Sequence, residues 1–165
     1  MPKLVSVVAS ISAALALSAS SVTLAQERAF IEATTEHLTE ATETCEAAKA
    51  GRAFDTAKII QQGWRNRGGP SMFGKLPSGA SITISDSKHG KNDSCIIIGW
   101  VNKESSVDDA TSRIASTLGL MLENDPSGST TAQHNGWDYA FLRFTKPEVT
   151  DQIRMIIVVS ASKSN

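Results

Sequence analysis

The sequence predicts an α+β domain: a small helix-rich N-terminal part, then an antiparallel sheet of about four strands, with helices on one face. Three observations carry that expectation. Apolar residues recur at helical three- and four-residue steps early in the chain and again near its middle. Two pairs of β-branched, strand-like runs flank the second of these helical stretches. Each pair is joined through a polar segment, so both pairs read as hairpins, and the order becomes α-α-β-β-α-β-β.

The first 25 residues stand outside this pattern. Lys3 gives a positive start, Leu4 to Leu17 is an apolar run broken only by serines, and Thr23-Leu24-Ala25 places small residues where a signal peptidase cuts. The run is too short, and too rich in Ser and Ala, for a permanent bilayer crossing. Residues 1–25 are therefore expected to be a signal peptide, and 26–165 a single exported domain, periplasmic or secreted. About 140 residues remain, the size of one domain with one core.

Residues 27–50 read as the first helix, with Ile31, Thr34, Leu38, Ala41, Cys45 and Ala48 as a modest apolar stripe and Gly51 as its end. A shorter helix over 53–62 would bury Ala53, Ala57 and Ile60 and stop at Gly63. From Trp64 to Gly79 the density of glycine and proline predicts a loop. Ile82 and Ile84 alternate with Ser81, Thr83 and Ser85, as in a strand with one wet face. Cys95 to Val101 is almost wholly apolar and reads as a central strand.

A third helix opens near Ser106-Val107-Asp108-Asp109, with Ser106 as its N-cap and Asp125-Pro126 as its stop. Its buried stripe is Val107, Ala110, Ile114, Leu118 and Met121 or Leu122. Trp137 to Thr145 and Ile153 to Ala161 form the second strand pair, joined across Lys146-Pro147-Glu148. Trp100 and Trp137 are expected to stack across neighbouring strands; exposed together with Tyr139, they would instead mark a partner surface.

Charge and composition exclude several classes. The formal net charge of −1 becomes −2 once Lys3 is removed, with 15 basic residues (16 less Lys3) against 17 acidic ones. That balance argues against nucleic-acid binding, which needs a clustered positive face. No stretch of the mature chain approaches the length of a membrane span. The two cysteines, Cys45 and Cys95, are expected to pair in an oxidising compartment. The link would close a loop worth about 4 kcal/mol on the chain-entropy account. A redox pair or a metal thiolate site lacks its Cys-x-x-Cys or histidine cluster.

No residue pattern fixes a reaction. His37, His89 and His134 have no convergent ligands at metal spacing, so no metal and no cofactor is expected. The glycine-rich elbow of a serine hydrolase and the phosphate-loop fingerprint are both absent. Asp108 and Asp109 are adjacent on a helix, point apart, and serve as helix-start acids.

The least ordinary surface feature is the loop carrying Trp64, Arg65, Arg67 and Lys75. Guanidinium groups beside an aromatic ring suit capture of a carboxylate or phosphate. The alternative is a core Trp64 with solvated arginines. The expected function is thus non-enzymatic binding of a protein, an envelope component or a small anionic ligand. Two other classes compete. One is an envelope hydrolase assembled from loops near His89, His134 and Asp138. The other is an assembly protein that pairs through the edge of its last strand, Ile153 to Ser160.

Overall fold

The computed structural model describes residues 31–51, 53–69, 71–87, 91–102, 104–126, 129–145 and 152–162. The expected signal peptide, the Lys146-Pro147-Glu148 connection and His89 lie outside these residues. In chain order the elements are α1 (Thr35–Ala48), β1 (Lys49–Ala50), β2 (Ala53–Phe54), α2 (Thr56–Gln61), β3 (Arg65–Asn66), β4 (Met72–Gly74), β5 (Ala80–Ser87), β6 (Lys91–Val101), α3 (Glu104–Leu118), β7 (Glu123–Asn124), β8 (Thr130–His134), β9 (Trp137–Thr145) and β10 (Ile153–Ala161).

The class is α+β, as expected, but the sheet is larger than four strands. Eight strands pair antiparallel in the order β3-β4-β5-β6-β10-β9-β8-β7, and β1 and β2 form a separate two-stranded ribbon. The four anticipated strands are its long centre; short strands extend both edges. Two four-stranded meanders, β3–β6 and β7–β10, therefore meet along β6 and β10, and α3 is the crossover between them.

Local chemistry sets the helix limits. Thr34 caps α1: its hydroxyl accepts from the His37 backbone N–H, and the His37 ring accepts from the Thr34 backbone N–H. The helix thus begins at Thr35 rather than 27, and Ile31 is exposed. Asp55 caps α2 through the Ala57 N–H. That cap turns Ile59 inward and leaves Ile60 exposed, the reverse of the expected face. Helix α3 starts at Glu104, two residues before the expected cap, and ends at Leu118, where Gly119 with its φ of +66° stops it well before Asp125-Pro126. Leu120 then turns into the core while Met121 points to solvent.

The core lies between the helices and one sheet face. Ile82 and Ile84 of β5, Cys95 and Ile97 of β6, Met155 and Ile157 of β10, and Tyr139 and Phe141 of β9 are all buried. Helix α1 lies on this face through Leu38, Ala41 and Cys45, and α3 packs against α1. Cys45 and Cys95 are joined by a disulfide that ties α1 to β6, with their Cα atoms 6.2 Å apart. Gly99 lets Ala33 and Leu38 lie directly on β6. A Cβ there would stand 2.6 Å from the Ala33 Cβ and 2.7 Å from a Leu38 methyl.

Candidate functional site

The residues singled out from sequence do not form one site. Trp64 is wholly buried, and its indole N–H donates to Thr44 Oγ1 at 3.1 Å. This is the core position that the sequence offered as the alternative to ligand stacking. Lys75 pairs with Glu40 and also donates to the Gln62 carbonyl at 3.1 Å. Arg65 and Arg67 are exposed on β3 and just after it, in a segment that adds two short strands to the sheet. The expected loop is thus partly regular: Arg67 N–H donates to the Met72 carbonyl at 2.9 Å.

Of the residues expected for a hydrolase, the two described ones, His134 and Asp138, diverge. Asn135 and Gly136, with φ of 51° and 77°, make a two-residue turn between β8 and β9. In that hairpin His134 pairs with Trp137, while Asp138 pairs with Gln133, so His134 and Asp138 take opposite faces. Among the described residues the His134 ring meets the Asn135 side-chain amide, at 2.8 Å, and Asp138 accepts from Ser162 Oγ at 2.7 Å. Among the described residues no three His, Cys, Asp or Glu side chains gather in a way that could hold a metal ion. The edge-pairing idea meets a direct obstacle. Strand β10 sits at the centre of the sheet, hydrogen-bonded to β6 on one side and β9 on the other.

Two other constellations are present instead. The first closes the C-terminal end of α1. Lys49 pairs with Glu46, donates to the Tyr139 hydroxyl at 3.0 Å, and lies 5.0 Å and 5.5 Å from the Trp137 and Tyr139 ring centres. Phe54 meets Trp137 edge-on at 4.9 Å. This cluster consumes its own charges and works as a clamp between α1 and β9.

The second constellation is the sheet face away from the helices. Every described residue of that face in the four long strands keeps some solvent exposure. The register builds it row by row. Trp100, Arg154 and Phe144 stand side by side, then Ile98, Ile156 and Leu142, then Ile96, Val158 and Ala140, then Ser94, Ser160 and Asp138. Two apolar rows thus lie between a cationic row and an anionic one. Trp100 and Trp137 fall on opposite faces and do not stack; only Trp100 belongs to the open one.

Arg154 is the distinctive member. Its guanidinium carbon lies 5.8 Å from the Trp100 ring centre and 5.3 Å from that of Phe144. No ion pair reaches it among the described residues, and its Nε is enclosed without a hydrogen-bond partner. An enclosed donor without an acceptor costs about 1–3 kcal/mol, which an incoming acceptor would recover. Next to the last two rows, Val158, Ala140, Thr131 and Asp138 line a shallow depression of about 380 Å³. A further cleft of about 480 Å³ separates α3 from the β7–β8 edge, lined by Asp108, Ser112, Phe141 and Arg143. Arg143 there is already paired with Glu104 at 3.0 Å.

The arrangement defines a class: a disulfide-linked α+β domain with one face of its sheet open and amphiphilic. No known protein family matches the chain, and neither the curated proteins nor the solved structures contain a match.

Proposed function

We propose that the protein is an exported, non-catalytic binding domain that holds a partner protein on the open face of its sheet. The observation that carries the reading is Arg154: a guanidinium with no ion-pair partner among the described residues, held between Trp100 and Phe144 at the end of two apolar rows. Aromatic and arginine side chains over an apolar centre are the composition from which protein interfaces draw their binding energy. The leader-like first 25 residues support export. So does the Cys45–Cys95 link, which suits an oxidising compartment. No helix among the described residues is long and apolar enough to cross a membrane.

The test is capture from an extract of the compartment in which the protein accumulates. Wild-type bait is compared with Ile156→Asp, which charges the centre of the face, and with the Arg65→Ala/Arg67→Ala double variant. Loss of capture with Ile156→Asp alone is the expected result. Loss with the arginine pair alone would move the site to the β3–β4 segment and overturn the reading.

A further inference from the structure

We infer that the partner seated on this face is a second copy of the same chain; the inference rests on the open face being the binding surface. The argument is the placement of charge. Arg154 and Asp138 are the two charged side chains in the four rows built on β6, β10 and β9. Neither has an ion-pair partner among the described residues. They stand at opposite ends of the apolar rows. On β10, Arg154 and Ser160 are separated by about 20 Å at roughly 3.3 Å per residue, and Asp138 lies beside Ser160.

A face with that layout is complementary to itself under one symmetry operation. Stacking two sheets face to face by a two-fold rotation requires an axis in the plane between them. An axis along the strands lays Arg154 over Arg154 and leaves both guanidinium groups repelling each other. An axis across the strands exchanges the ends of the rows. Arg154 then meets the row of Ser160 and Asp138 of the second copy, and the row of Ile156 meets the row of Val158. Both cation–carboxylate pairs form together, on either side of a closed apolar layer, in the aligned manner of sheet-on-sheet packing.

Size is consistent with this occupant. Four strands about 4.8 Å apart and about 20 Å long give roughly 400 Å² of flat footprint per copy. Side-chain relief raises the total toward the lower end of specific interfaces, roughly 1,200 Å². The neighbouring rings of Trp100 and Phe144 exclude water from the guanidinium, which strengthens a pair formed there.

Sedimentation equilibrium on the oxidised protein, from low to several hundred micromolar, decides the matter. The expected result is a dimer whose dissociation constant rises with salt. Arg154→Glu and Asp138→Arg should each weaken it at least tenfold, and the combined Arg154→Glu/Asp138→Arg variant should recover most of that loss. Thermal melts establish that each variant is folded, and Asp138→Arg keeps the test valid if Arg154→Glu is not. A wild type that is monomeric throughout overturns the inference. So does a dimer indifferent to both single changes, or a folded double variant that stays as weak as the singles. The face reading fails separately, if Ile156→Asp captures extract proteins as well as wild type does. A monomeric wild type whose capture Ile156→Asp abolishes would leave the face reading standing and assign it to another protein.

Discussion

Ile156 and Ile157 are adjacent, identical in type and on the same central strand, yet they lie in different environments. Ile157 is wholly buried under the helices beside Ile97, whereas Ile156 sits on the open face beside Ile98 and Leu142. The first set of residues holds the fold together; the second is surplus to it. A sheet that needed only to cover its core could place Ser and Thr along its outer face, as β5 does with Ser81, Thr83 and Ser85. Ile, Val, Leu, Trp and Phe there instead give the face the apolar character on which the proposed binding rests.

The comparison is broken most directly by truncating both sides of the same strand. Ile157→Ala should lower unfolding free energy by about 2–5 kcal/mol, the range for a buried aliphatic that leaves a cavity. Ile156→Ala should cost less, about 1 kcal/mol, because Ile156 keeps partial solvent exposure and has helix packing only on the other side of its strand. Chemical denaturation of the two variants measures the difference. Equal losses would mean that the open face is part of the core.

Removing the disulfide sharpens the contrast from the covered side. The Cys45→Ala/Cys95→Ala protein should lose about 2–5 kcal/mol, since the link spans 50 residues of sequence. Binding through the open face should persist while the protein is folded, because the link joins α1 to the buried side of β6. Gly99→Val follows in size, at about 1–3 kcal/mol. Its added atoms have nowhere to go between Ala33 and Leu38. A melting temperature unchanged by that substitution would show that α1 does not seat where it is placed here.

The fold was legible where spacing alone decides it. The ranges of β9 and β10 agree with their expected limits, and the helical stripe through Leu38, Ala41, Cys45 and Ala48 is buried as read. Helix starts were misread because the caps were overlooked: Thr34 with His37, and Asp55. The Asn135-Gly136 turn was legible too, and by itself it sets His134 and Asp138 on opposite faces of the hairpin. The two-residue and three-residue edge strands were not. Their pairing depends on register with the strands beside them, β4 on β5 and β7 on β8, rather than on their own composition. The open face was legible in part, because helices on one face leave the other partly wet; its extent was not. Cys95-Ile96-Ile97-Ile98 reads as a strand buried on both sides, and only the register shows that half of it is uncovered.

Trp64 and its neighbours give a smaller test of which residues serve the core. Trp64→Phe should lower stability by about 1 kcal/mol through loss of the indole bond to Thr44. Arg65→Ala and Arg67→Ala should leave the melting temperature within experimental error, since both side chains are exposed. A marked loss of stability in either arginine variant would place those side chains in the fold rather than in solvent.

The smallest effect concerns pH and the start of α1. The Glu36 carboxyl is held below the ordinary glutamate value. The largest cause is a hydrogen bond from its own backbone N–H, followed by the Thr34 side chain, with the Arg113 guanidinium adding to both. Arg113 Nη1 lies 2.6 Å from Glu36 Oε1, and an acid in the first helical turn also favours the positive end of the helix. A depressed carboxyl binds its proton more weakly in the folded state than in the unfolded one. Its stabilisation is therefore present above the ordinary glutamate range and is lost as pH falls through the lowered folded value. Because both partners are solvent-exposed, the effect is slight and is screened by salt. Melting temperatures of wild type and Glu36→Gln should thus differ a little at neutral pH and converge in acid. A gap that widens on acidification would reverse the sign and remove Glu36 from the helix-start account.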